Sequence, residues 1–324
     1  MWQVVVTIRV LLAVFGVLGT IINGIVLCVL ARKRIGSRTT TMLLRSQCIA
    51  DGYIGFFAFL YQVFGGEIQT GSEIANRILC NIWYRDNLIW IGVILSVHNV
   101  VCISFDRFMA IVYPVAYKHY KKQLTIATYT YLTFMGLFMF YPNILSRRYE
   151  NGKCVYVPDS GDRILERFFE VESKIWTILI YGMPTICVIV LHSIVICKMR
   201  KQLTQVNNFP SEPDTTCGKQ HTKQMQARVR RLTWTTVGMT CILITFHTYD
   251  AFIYALAYFG VVEYEPGSPD QQVGLILIVV CSCVMPCFLA GSIDSLRDLI
   301  LHGFCRRVGK LSDTGSQAET SEYE

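Results

Sequence analysis

The chain has 324 residues and a formal net charge of +7; 52% of its residues are apolar, only 16% are charged, and the mean hydropathy is +0.40. So few charges cannot coat the two soluble domains that such a length would otherwise imply, and 23 Gly, 9 Pro and 13 Cys in a long chain exclude the collagen-like, disordered and disulfide-scaffold classes. What remains is a membrane protein.

A spanning helix needs about 20 mostly apolar residues. Seven stretches meet that condition, at about 4–31, 41–64, 82–112, 124–145, 174–197, 232–260 and 272–292. Each is too long for a strand and lacks period-two alternation, so the expected fold is an all-α membrane protein, a seven-transmembrane helix bundle. The first stretch ends in Arg32-Lys33-Arg34, a stop-transfer flank, and so reads as a span rather than a signal peptide. The longest connection, about 146–173, is polar and acid-rich, and Asn207–Asp214 reads as mobile linker. No two spans are broken in matching places, as an inverted-repeat transporter would require. Residues 1–305 are expected to form the membrane domain and 306–324 a short disordered cytoplasmic tail.

Basic residues in short loops set orientation. With the N-terminus extracellular and the C-terminus cytoplasmic, the inner segments hold Arg32, Lys33, Arg34, Arg38, Lys118, Lys121, Lys122, a run from Lys198 to Arg231, and Arg306, Arg307 and Lys310. The outer side holds nine Lys and Arg against twelve Asp and Glu, the latter including Asp86, Glu263, Glu265 and Asp270. The expected location is the plasma membrane, multi-pass. Of the cysteines, only Cys80 and Cys154 fall in an oxidising compartment; they permit one bridge, against the alternative of two unrelated free thiols.

Ionisable groups at membrane depth are costly and mark function. Asp51 lies mid-span, within reach of Asn23 and Ser96 on other spans, and reads either as a structural carboxyl or as a buried ion or proton site. Asp106-Arg107 lies at the inner end of the third span, where a solvated pair is the plain alternative. Asp250 sits among Phe246, Tyr249, Phe252 and Tyr254, placed either to touch a cationic ligand group or to pair with a neighbouring helix. His98, His192 and His247 lie on separate spans without metal-ligand spacing, so no metal site is expected.

Taken in order, these residues resemble a rhodopsin-like (class A) G-protein-coupled receptor, a divergent member. Asp106-Arg107-Phe108 with Ala110-Ile111-Val112-Tyr113-Pro114 is similar to the family's Asp-Arg-Tyr signature and its following proline. Asn23, Asp51 and Ser96 match the polar residues of the family's sodium pocket, Cys80 and Cys154 its outer disulfide, Pro184 the fifth-span proline and Pro286 the seventh-span kink. Leu296-Arg297-Asp298 reads as the start of a short amphipathic eighth helix at about 293–305, after which Cys305 is a candidate for palmitoylation. The resemblance implies a switch. Asp106 holds Arg107 at rest, and ligand binding favours a state in which the sixth span swings out and Arg107 meets a heterotrimeric G protein. Asn23, Asp51, Ser96 and Ser282 would form the buried sodium-like site, and Phe246 the sixth-span toggle. Arg228, Arg230 and Arg231 suit the inner surface, toward G protein or anionic lipid.

Departures are as informative. Thr245-Phe246-His247-Thr248 stands for Cys-Trp-x-Pro, and Met285-Pro286-Cys287-Phe288-Leu289 for Asn-Pro-x-x-Tyr, so Met285 weakens any sodium site. The tryptophan expected near Tyr131 and Leu132 is absent, and the interval from Cys80 to Asp106 is about two residues long for the family.

No lysine lies in 272–292, which excludes a retinal Schiff base. Little chain precedes the first span, and no extracellular binding domain is expected. The acidic outer face would attract a basic peptide, so the expected function is a peptide receptor of the neuropeptide kind. Its ligand-pocket candidates are Asp86, Trp90, Tyr249 and Asp250. Small-molecule, amine or chemosensory reception on the same fold is the alternative, followed by a proton-coupled transporter or channel using Asp51, Asp250 and the histidines. No catalytic motif is present, so no enzyme is expected, and nothing points to nucleic acid.

Overall fold

The computed structural model describes residues 2–84, 86–156, 163–208, 216–258, 261–262, 268–294, 296–298 and 300. The helices α1 (Trp2–Arg32), α2 (Arg38–Phe64), α3 (Glu73–Ile82), α4 (Asn87–Val112) and α5 (Pro114–Leu145) come first, followed by a hairpin of β1 (Arg147–Glu150) and β2 (Lys153–Tyr156). Then come α6 (Arg163–Thr177), a π-helical segment Ile178–Gly182 that runs into α7 (Met183–Asn208), α8 (Thr216–Tyr258) and α9 (Pro269–Ser292).

Local chemistry starts these helices where they start. Ser37 caps α2 by accepting from the Thr40 N–H at 3.1 Å, and Ser268 does the same for α9 toward Gln271 at 3.3 Å. Pro114 and Pro269 occupy first-turn positions, where the missing N–H removes no helical bond. Between the strands, Asn151 and Gly152 both take positive φ (50° and 80°), the two-residue turn that suits hairpin twist.

Among the described residues, six helical stretches are long and apolar enough to cross a membrane: Val6–Arg32, the one ending at Val112, Pro114–Pro142, Lys174–Lys201, Val229–Ala257 and Pro269–Ser292. The seventh long helix, α2, spans 27 residues and is less apolar because Arg45, Gln47 and Asp51 lie along it. It packs between α1 and α4. The bundle has an apolar core, with Leu12, Leu44, Ile54, Val93 and Ile278 buried in it, and unlike a soluble protein it is apolar on its outer surface too. Val14, Ile21, Ile25, Leu137, Ile186 and Ile189 face outward, whereas Asn23, Asp51, Ser96, Asn99, Asp106 and Asp250 are buried inside. Water would not tolerate such an apolar belt, and lipid requires it. The chain is therefore a multi-pass membrane protein with a seven-helix bundle.

The third span differs from its sequence outline. Its helix begins at Asn87, and the stretch from 73 to 82 forms the separate helix α3. The Asn87 side chain donates to the carbonyls of Asn81 (3.0 Å) and Ile82 (3.4 Å), which pins the break. The disulfide Cys80–Cys154 joins α3 to β2, with Cα atoms 5.4 Å apart. After α9, the amides of Leu296 and Arg297 both donate to the Ile293 carbonyl at 2.9 Å, one helical turn at the start of the expected eighth helix. Most of the proposed linker, the remainder of the eighth helix with Cys305, and the tail lie outside the described residues, as do Glu263 and Glu265.

Candidate functional site

Three buried polar clusters lie along α4; the first ties it to α2 and α5, the second to α2 and the third to α9. At the Arg107 end, Asp106 and Arg107 are 2% and 4% exposed, so the solvated reading of this pair does not hold. The Asp106 carboxylate accepts from the hydroxyls of Thr40 (2.7 Å) and Tyr117 (2.6 Å) and from the Arg107 guanidinium, which also donates to Thr40. Tyr117 is held in turn by Ser37 at 2.7 Å. Carboxylate and guanidinium thus neutralise one another, and hydroxyls take up the carboxylate's remaining lone pairs, while the buried Arg107 Nε has no hydrogen-bond partner. Phe108 points away from this cluster, stacked on Phe105 with ring centroids 6.2 Å apart. Thr40 and Tyr117 were not visible as partners in the sequence, because they lie 66 and 11 positions from Asp106 on other helices.

Mid-bundle, Ser96 donates to Asp51 at 2.7 Å, and Gln47 reaches both carboxylate oxygens at 3.1 Å. Asn23 does not touch Asp51. Its amide donates to the Gly19 and Ser282 carbonyls at 2.9 and 2.8 Å, joining α1 to α9, and the Ser282 hydroxyl turns back to Val279. Met285 and Pro286 are both buried in α9. Among the histidines, His192 bonds Ser104 and Thr240, each at 3.0 Å, linking α7 to α4 and α8, and His98 pairs with Tyr131 at 2.8 Å. Among the described residues no group of three His, Cys, Asp or Glu is placed to hold a metal.

At the disulfide end, Asp86 is 9% exposed and accepts from the Trp90 indole at 3.0 Å and from Gln271 at the start of α9. Trp90 packs edge-on against Trp176, centroids 5.9 Å apart. No ion pair to Asp86 exists among the described residues. Asp250 accepts from Tyr181 in the π segment and abuts Gly274, where an added Cβ would lie 2.6 Å from its carboxylate. Tyr249 instead reaches Asp270 at 3.5 Å on the exposed rim, so the four sequence candidates form two buried stations and a surface contact rather than one cluster. Phe246 is half-buried against the core. A cavity of about 90 Å³ lies between α4, the π segment, α7 and α8, lined by Val97, Ile180, Pro184, Val188, Leu243 and His247 among others. Arg231 of α8 pairs with Asp294, which Arg297 also contacts at 3.1 Å. Arg230 is exposed, and the side chain of Arg228 lies outside the described residues.

A seven-helix bundle with a buried Asp-Arg pair at one end and a disulfide-tethered hairpin at the other belongs to the seven-transmembrane receptors of the rhodopsin family, whose family model matches residues 22–311. Within that family the chain is 29% identical over 164 residues to the muscarinic acetylcholine receptor M5 of Rattus norvegicus (49% of this chain, 29% of that receptor). It is 30% identical over 97 residues to the D(3) dopamine receptor of Mus musculus (30% and 21%), and 24% identical over 205 residues to the tachykinin-like peptides receptor 86C of Drosophila melanogaster (60% and 38%). The matched stretches thus cover less than two fifths of each of these receptors. The relatives are receptors, not enzymes.

Proposed function

We propose that the chain is a plasma-membrane receptor with its N-terminus outside, which binds an extracellular ligand carrying a cationic group, a basic peptide foremost, and activates a heterotrimeric G protein through Asp106 and Arg107. The observation that carries this reading is the pair of stations at the two ends of α4. One is Asp86, a buried carboxylate without an ion pair among the described residues, and the other is the shielded Asp106–Arg107 pair. A cation reaching Asp86 would displace the Gln271 amide, because a charged partner bonds a carboxylate more strongly than a neutral one. That exchange removes a tie between α4 and α9 and favours whichever bundle arrangement the ligand grips better; the shift can be no larger than the ligand's differential affinity for the two arrangements. Arg107, once released by Asp106, offers its fork of donors to a docked α subunit.

Of these relatives, the one named for tachykinin-like peptides aligns over the largest share of the chain. The receptors named for acetylcholine and dopamine support a second reading, a small amine held at Asp86 between Trp90 and Gln271. Nucleotide exchange on a panel of G proteins, driven by basic peptides and by amines, separates these readings. Exchange should follow a basic ligand, fall at least tenfold in potency with Asp86→Asn, and vanish with Arg107→Ala while ligand binding persists. If no peptide, amine or odorant evokes exchange and a transmembrane current appears instead, the receptor reading is wrong.

A further inference from the structure

The mid-bundle carboxylate carries more than its alignment implies. Gln47 and Asp51 sit one helical turn apart on α2, both buried against α4. The Gln47 amide nitrogen lies 3.1 Å from each Asp51 oxygen and 2.7 Å from the Ser96 hydroxyl. Its carbonyl oxygen accepts from Asn99 at 2.8 Å, and Asn99 donates also to the Leu43 carbonyl at 3.0 Å. This second contact settles which way the amide points. Turned over, Gln47 would set a carbonyl oxygen against the carboxylate and an NH₂ against the Asn99 NH₂, two repulsive contacts where the observed orientation has bonds.

A hard cation at Asp51 needs an open carboxylate edge and further oxygen ligands. Both carboxylate oxygens face N–H or O–H donors, and the Asn23 NH₂ is spent on the Gly19 and Ser282 carbonyls, so that its buried Oδ1 has no hydrogen bond and makes none to the Asp51 cluster. Every group that bonds the Asp51 carboxylate is a donor, the complement of the oxygen ligands a sodium ion takes. We infer that the Gln47 amide occupies the place a sodium ion would take beside Asp51, so that the receptor's α2–α4 core is set by an internal hydrogen-bond clamp and is insensitive to sodium. Gln47 is a positioning residue here. It holds the carboxylate through its own amide and is itself held by Asn99, whereas an exchangeable ion would let salt tune the resting state.

The test is thermal unfolding of the purified full chain in sodium chloride against choline chloride at constant ionic strength, which needs no ligand and stands apart from the receptor's coupling. Wild type should show the same midpoint in both salts. Gln47→Ala, which removes the donor and opens space, should become saturably stabilised by sodium, and the added Asp51→Asn should abolish that gain. Met285→Asn on the Gln47→Ala background supplies an oxygen ligand and should tighten the apparent sodium affinity by threefold or more. The inference is overturned if wild type itself is stabilised saturably by sodium in an Asp51-dependent way, a measurement that holds whether or not the variants fold. It is equally overturned if folded Gln47→Ala is as indifferent to sodium as wild type.

Discussion

Tyr117 decides how firmly Arg107 is held. Its hydroxyl is one of two that bond Asp106, and the ring is buried at the start of α5. Tyr117→Phe removes a net stabilisation of about 1 kcal/mol from the closed arrangement and leaves the carboxylate one donor short. An equilibrium dominated by the resting state should then shift roughly fivefold toward the active one, read as higher ligand-independent nucleotide exchange with unchanged surface expression. A basal rate equal to wild type would show that the Tyr117 bond is made in both states. The sequence marked Asp51, Asp106, Arg107 and Asp250 as unusual, because a charge in an apolar stretch stands out without any knowledge of its surroundings. Their partners Gln47, Thr40, Tyr117 and Tyr181 were illegible as such. They are ordinary polar residues in ordinary places, and Gln47 was in plain view four positions before Asp51 without a sign of what it would bond.

Helix contacts depend on where side chains are missing as much as on where they meet. Gly16 and Gly55 let α1 and α2 approach so closely that a Cβ on Gly55 would lie 2.7 Å from the Gly16 carbonyl oxygen. Small residues of this kind set packing in lipid, where the hydrophobic effect between helices is absent. Gly55→Val forces backbone against side chain and should cost about 3 kcal/mol or more, seen as a lowered unfolding midpoint in detergent, whereas Gly24→Ala meets nothing within 4 Å and should leave the midpoint in place. Equal midpoints for the two variants would mean that α1 and α2 stand further apart than this contact implies. Spans were readable from composition, yet the break between α3 and α4 was not. Residues 82–86 are no less helical in pattern than their neighbours, and the helix stops there because the Asn87 side chain and the Cys80–Cys154 tether hold the turn.

Across the whole molecule, charge is distributed by side. Glu67, Glu73, Glu150 and Asp270 are exposed at the disulfide end, and most bases lie toward the other end. If that acidic rim faces the ligand, association of a basic peptide should slow steeply with added salt, while an uncharged analogue's on-rate changes little. Surface plasmon resonance across a range of ionic strengths checks this, and parallel salt dependences for the two ligands would remove electrostatic steering from the account. The number of spans, their apolar faces and the inventory of costly buried polar groups were all determined by the sequence itself, because the free energy of moving a side chain into lipid is set by that side chain and its near neighbours. Which polar group meets which was decided only by the tertiary structure. The decisive bonds join Gln47 to Asn99 across 52 positions, Asp106 to Thr40 across 66 and Asp86 to Gln271 across 185, and a hydrogen bond depends on ångström-scale geometry that exists only once the helices have packed.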